Sequence, residues 1–159
     1  MKLLKLYLET SVWNFLFAED APEKRVATEL LFHEIEVGKY SIFISNIVGQ
    51  EIQRASQAKK QLLAGVIEKY KPSFLEDSAE VRELVFMYIK NGLLSPNHFE
   101  DLTHAAVAIV NEMDMLVSWN MRHIVKHRTR TLVNAVNQIN GYRSIDICTP
   151  EEVVDYDIS

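Results

Sequence analysis

The chain has 159 residues and a mass of 18.3 kDa, a length that one hydrophobic core serves, so a single domain over residues 1–159 with one site is expected. Hydrophobic residues at 48% and charged residues at 25% exclude a disordered or fibrous chain. A net charge of −5 with pI near 5.5 excludes attraction of nucleic acid by the molecule as a whole, so such a partner would have to be met by local basic patches.

The run LLKLYL at 3–8 is short and apolar, the pattern of a buried strand. Thr10 and Ser11 offer helix caps, and a short helix is expected over 12–17. A second helix begins after Pro22, spans 23–37 and stops at Gly38. YSIFIS at 40–45 is β-branched and aromatic, hence a second strand, and Ser45 or Asn46 can cap the helix that carries Glu51. Residues 59–70 continue helical, 71–75 suit a third short strand, and 78–90 is an amphipathic helix closing at Asn91-Gly92.

Pro96 and the polar residues after it open a helix rich in Ala, Val and Ile that runs to about Met113, apolar enough to be central. MLVS at 115–118 is a buried strand, 119–140 is loop plus helix, and SIDIC at 144–148 is a last strand before Pro150. The acidic tail over 151–159 reads as peripheral. Strands alternating with helices give an α/β domain with a mainly parallel sheet, because parallel neighbours need helical crossovers.

No apolar run approaches the roughly 20 residues of a membrane span, and the N-terminus lacks a small-residue cleavage site, so a cytoplasmic protein without membrane contact is expected. Cys148 is the only cysteine. It excludes an internal disulfide and a cysteine-rich zinc cluster, and reads as a buried small apolar residue.

In an open parallel sheet, ligands bind beyond the carboxyl ends of the strands where strand order reverses. Glu9 follows the first strand directly, Asn120 lies two residues after MLVS, and Glu51 is about one and a half turns into the helix after the second strand. Asp101 falls in the first turns of a central helix, where unpaired backbone amides favour a carboxylate. Carboxylates gathered without a cation repel one another, so this set makes sense around Mg²⁺ or Mn²⁺, for which hard oxygen donors without a cysteine set are suited. Such an ion points to phosphate chemistry.

At these residues the sequence resembles the PIN-domain family, in particular the VapC-type toxins of toxin–antitoxin pairs. YLETSVWN at 7–14 is similar to the family's first motif, NIVGQEIQR at 46–54 to its second, and EDLTHAAVA at 100–108 with MLVSWNMRHI at 115–124 to its third and fourth. The resemblance implies a three-layer α/β/α sandwich around a parallel sheet and Mg²⁺- or Mn²⁺-dependent cleavage of RNA. It also implies dimerisation and an antitoxin protein as partner. It assigns catalytic and metal-binding roles to Glu9, Glu51 and Asp101, with Asn120 as a fourth metal ligand. Two positions depart from the family pattern. Glu9 stands where Asp is usual and shifts the carboxylate by a methylene; Asn120 stands where Asp is usual and brings no charge. The departures leave open a preference for Mn²⁺, weaker metal binding, or a catalytically weak module that binds RNA or a protein. A phosphatase of the haloacid dehalogenase type needs an Asp nucleophile two residues before another Asp, which Glu9-Thr10-Ser11 does not supply.

Thr10 and Ser11 either bind a phosphate or a metal-bound water, or cap the helix. Arg122, Lys126, Arg128 and Arg130, with His123 and His127, make the most basic stretch; Arg122 and Lys126 suit phosphate contacts, and a solvated helical face is the plainer description. His104, three residues after Asp101, reads as a core histidine within reach of the site. Asp114 precedes its strand and reads as a turn residue, and Trp13 and Phe17, four apart on a short helix, either stack a base or serve core or dimer packing, the plainer reading.

Overall fold

A computed structural model describes residues 2–93 and 98–154. The expected helix start at Pro96 and the end of the tail from 155 onward lie outside the described residues. The first strand, β1 (Leu4–Leu8), leads into helix α1 (Thr10–Asn14) and a 3₁₀ turn over Phe15–Phe17. Helix α2 (Pro22–Glu36) opens on a proline at its first position, where the missing N–H costs nothing. It stops at Gly38, whose φ of +88° suits a residue without a side chain. Strand β2 (Tyr40–Ser45) ends in Ser45, whose hydroxyl accepts from Ile47 N and caps helix α3 (Asn46–Gln53).

Helix α4 (Gln57–Tyr70) precedes the edge strand β3 (Ser73–Leu75). Strand β3 is shorter than expected because Lys71 is in the left-handed conformation, φ +49°, closing α4, and Pro72 cannot extend a ladder. Helix α5 (Ala79–Lys90) is capped by Ser78. Helix α6 (Phe99–Val110), strand β4 (Met115–Val117), helix α7 (His127–Ile139) and strand β5 (Asp146–Cys148) complete the alternation.

The five strands pair in parallel in the order β3-β2-β1-β4-β5. Side chains alternate across β1: Tyr7 enters a core built with α5, α6 and α7, while Leu6 and Leu8 enter a second core with α1, α2, α3 and α4. The architecture is therefore a three-layer α/β/α sandwich. The chain runs outward from β1 through β2 to β3, then returns to lay β4 on the other side of β1. The order reverses between β1 and β4, so the crevice of the fold opens at the carboxyl ends of those two strands.

The tail differs from expectation. Residues 150–153 form helix α8 (Pro150–Val153), in which Thr149 and Glu152 close a reciprocal capping box. Val153 and Val154 pack into the second core, so this part of the tail is held to the body by apolar burial. Among the described residues no helix is long and apolar enough to cross a membrane.

Candidate functional site

Two helices from opposite layers lean over the crevice. Helix α3 brings Glu51 from one side and α6 brings Asp101 and His104 from the other, and a bidentate ion pair between Arg54 and Glu100 ties the two helices together at the surface. The register Leu8↔Val117 places Glu9 beside Ser118, and Glu9 N donates to Val117 O at 3.0 Å. Glu9 is thus fixed by the sheet itself.

Glu9 is 5% exposed. Its Oε1 accepts from Ser11 Oγ at 2.5 Å and from Ser118 Oγ at 2.6 Å. Glu51 Oε1 accepts from Thr10 Oγ1 at 2.8 Å and from His104 Nε2 at 2.5 Å. Among the described residues every hydrogen bond to these two carboxylates falls on Oε1, so each Oε2 remains for another partner. One donor atom from each of Glu9, Glu51 and His104 lies within 4.8 Å of the others, a span that a single cation can bridge. The two acids, one buried and one partly buried, their unused oxygens and the imidazole nitrogen fit a divalent cation.

Behind this group runs a buried chain of hydrogen bonds. His104 Nδ1 meets Tyr7 Oη at 2.6 Å, and Tyr7 Oη meets Ser45 Oγ at 2.7 Å. Burial of His104 opposes its charge, but the hydrogen bond to Glu51 and the charges of Glu9, Glu51 and Asp101 outweigh burial and raise its pKa. For Glu51 burial likewise favours the neutral acid; the His104 hydrogen bond and charge, then Thr10 and Arg54, reverse this and lower its pKa. Burial drives the Tyr7 hydroxyl far above its ordinary value, so it remains a neutral bridge.

Asp101 stands beside the group, outside the 4.8 Å set. Its Oδ1 accepts from Asn120 Nδ2 at 3.2 Å and its Oδ2 lies 3.7 Å from His98 Nδ1. Burial and then the charge of Glu9 raise its pKa, with Glu51 adding to the effect and His104 and His98 opposing it. The four positions singled out in the sequence therefore surround one crevice. The three donors closest together, however, are Glu9, Glu51 and His104.

Asn120 takes part through Asp101. Its Nδ2 donates to Asp101, its Oδ1 accepts from His123 N at 3.0 Å, and its backbone oxygen accepts from Ile124 and Val125 N. The carbonyl expected to face a cation is turned to the loop. Thr10 and Ser11 do not cap α1, since the cap position is Glu9 without a side-chain bond; both hydroxyls donate to the carboxylates. Arg122 and Lys126 are exposed on the loop after β4. They flank His123, whose pKa is lowered by partial burial and then by the charges of His98, Arg122 and Lys126. The His123 ring stacks on His98 with centroids 3.9 Å apart, which links this basic rim to Asp101.

Sequence reasoning read Ser45 as a helix cap and Ser118 as the end of a strand, gave Tyr7 no role beside the site, and placed His104 in the core without its two bonds. Asp114 is a turn residue at the opposite end of β4, accepting from Lys5 N at 2.7 Å. Trp13 is buried edge-on against Phe32, so it serves packing.

No protein-family model and no curated protein matches the chain. Solved structures do. A chain in the crystal structure of VapBC2 from Rickettsia felis, bound to a DNA fragment from their promoter, is 17% identical with a TM-score of 0.58, over 92% of this chain and 98% of that one. A tyrosyl-tRNA synthetase from Archaeoglobus fulgidus, complexed with L-tyrosine, is 10% identical with a TM-score of 0.50, over 92% of this chain and 54% of that one. At such identities the likeness is one of fold. The α/β/α sandwich with order β3-β2-β1-β4-β5 is thus the PIN-like fold, shared along nearly its whole length with the VapBC2 chain.

Proposed function

We propose that the protein is a divalent-metal-dependent endoribonuclease that hydrolyses RNA phosphodiesters at the crevice between β1 and β4. The observation that carries this reading is the gathering of Glu9, Glu51 and His104 donor atoms within 4.8 Å at the strand-order reversal, with Asp101 beside them. A bound Mg²⁺ or Mn²⁺ would acidify an attacking water and offset the charge that develops on a phosphodiester. Glu9 and Glu51 would hold such an ion. Thr10, Ser11 and Ser118 fix the two carboxylates before any ligand arrives. Asp101, the carboxylate whose pKa is raised, is placed to accept a proton from the attacking water, and Asn120 orients it. Arg122 and Lys126 on the neighbouring loop meet the phosphates of the flanking nucleotides.

The VapBC2 likeness supports assigning the chain to the toxin side of a toxin–antitoxin pair; that it is a single-domain, dimeric and cytoplasmic protein is part of the same proposal. Glu9→Gln and Asp101→Asn should each abolish Mn²⁺-dependent cleavage of RNA while leaving the circular dichroism spectrum unchanged. Cleavage retained by both purified variants removes the mechanism.

A second reading rests on Asn120, whose carbonyl is turned to His123 N: a PIN-fold module that binds RNA or a protein without cutting. Calorimetry separates the two, since such a module shows no saturable Mn²⁺ binding that Glu51→Ala removes.

A further inference from the structure

We propose that His104 Nε2 is itself a metal ligand, so that the site is a two-carboxylate, one-imidazole site suited to Mn²⁺ and other transition ions over Mg²⁺. The inference rests on the metal-dependent reading above and deepens it by naming the class of ion.

The imidazole is fully buried on α6, and its direction is fixed from behind. Nδ1 is held by Tyr7 Oη at 2.6 Å, and Tyr7 is held in turn by Ser45 Oγ at 2.7 Å. This leaves Nε2 aimed at Glu51 Oε1 and at the gap toward Glu9. Ligating histidines are built in this way, one ring nitrogen engaged by a hydrogen-bonding partner so that the other faces the ion. Nε2 and the Glu51 carboxylate oxygen stand 2.5 Å apart, so both donors already face the same point of the crevice.

The oxygens alone suit Mg²⁺ as well as Mn²⁺. A nitrogen donor changes the balance, because Mg²⁺ favours oxygen ligands and keeps its waters, whereas imidazole suits later divalent ions. Asp101 is engaged by Asn120 and His98 outside the 4.8 Å group, so the imidazole occupies the third place. A family pattern of carboxylates does not predict this arrangement.

The test is electron spin-echo spectroscopy of Mn²⁺ bound to the full-length protein, unlabelled and with [¹⁵N]histidine. A directly bound imidazole gives a nitrogen coupling that changes with the isotope. The coupling is expected in the wild type and in a His98→Gln/His123→Gln double variant, and is expected to vanish in His104→Gln. Should His104→Gln fail to fold, replacing His33 and His127 by Gln in the double variant leaves His104 as the one histidine of the chain, and a coupling retained there still assigns the nitrogen. In a folded His104→Gln, Mn²⁺ affinity should fall by at least about tenfold, the smaller end of the effect of losing a residue that only orients a ligand, with Mg²⁺ affinity changed much less. Stoichiometric, Glu51-dependent Mn²⁺ binding without a histidine coupling overturns the ligand role while the metal site stands. Absence of Mn²⁺ binding overturns both this inference and the metal-dependent reading.

Discussion

Replacing Asp101 by Asn should stabilise the protein in the absence of metal. The Asp101 carboxylate is disfavoured by burial and by the charges of Glu9 and Glu51, so its ionised form costs folding free energy at neutral pH. Asn keeps the shape and can still accept from Asn120 Nδ2, so that bond is retained. The substitution loses the 3.7 Å pairing with His98, a contact with one partner a third exposed, at a cost of about 0–1 kcal/mol. Relief of like-charge repulsion at this partly buried position gives about 0.5–2 kcal/mol, as other single stabilising changes do. A net gain near 1 kcal/mol raises Tm by about 2–4 °C for a chain of this size.

The assay is thermal unfolding in EDTA across pH. A carboxyl whose pKa is raised in the fold destabilises above that pKa and ceases to do so once it is protonated in both states. The advantage of Asp101→Asn is therefore full at neutral pH, shrinks as pH falls through the folded pKa, and disappears below the ordinary value of 3.8. A variant that is less stable than wild type at pH 7 in EDTA, or whose advantage survives below pH 3.8, refutes the reasoning.

Tyr7→Phe removes the partner of His104 Nδ1 and one of the two partners of Ser45 Oγ, which keeps the bond from Ile47 N, and should cost about 1–3 kcal/mol in urea unfolding, the effect of leaving a buried imidazole nitrogen unpaired; an unchanged midpoint would show that the chain of bonds is not maintained in solution. Thr149→Ala breaks the capping box of α8 and should cost about 1 kcal/mol by the same measurement, with Thr149→Ser recovering most of it; equal stability of the two variants would sink this account. Burial, then the charges of Glu152 and Asp146, push the Cys148 thiol up to about 12, so a disulfide reagent at pH 8 should label it only after unfolding. Rapid stoichiometric labelling of the native protein would contradict that.

Strands β1 and β4 were legible because each is an apolar run too short for a helix. Strand β2 is bounded to the residue by Gly38-Lys39 before it and by the Ser45 cap after it. Glu9 and Glu51 were legible for a topological reason, since the residue after a central parallel strand and the first turns of the next helix must border the same crevice. What could not be read was sidedness. Leu6, Tyr7 and Leu8 are buried on both faces of the sheet, so the apolar pattern does not say that Tyr7 faces α6 while Leu6 and Leu8 face the other core. His104 was recognised as a core residue because α6 is apolar nearly all round. Its bonds depend on the packing of α6 over Tyr7 and on the approach of α3, which bring together residues 97 and 53 positions apart in sequence. Ser118 was read only as the end of a strand; its bond to Glu9 follows from the β1–β4 register.

The distribution of charge explains how an acidic protein can present a site for a polyanion. Net charge is −5, yet the acids of the crevice are withdrawn from the surface: Glu9 is buried, and Glu51 is covered by Thr10 and His104. Arg122 and Lys126 on the loop after β4 are exposed beside them, while Arg54, at the end of α3, is balanced by its ion pair with Glu100. At physiological salt the Debye length is about 8 Å, so an approaching phosphate responds mainly to the charges within that distance, and to the distant acids hardly at all. The buried carboxylates act only at contact range, where a divalent ion between them and a phosphate would turn repulsion into attraction. On the proposed reading, metal binding must then strengthen RNA binding, and by linkage RNA must strengthen metal binding by the same factor.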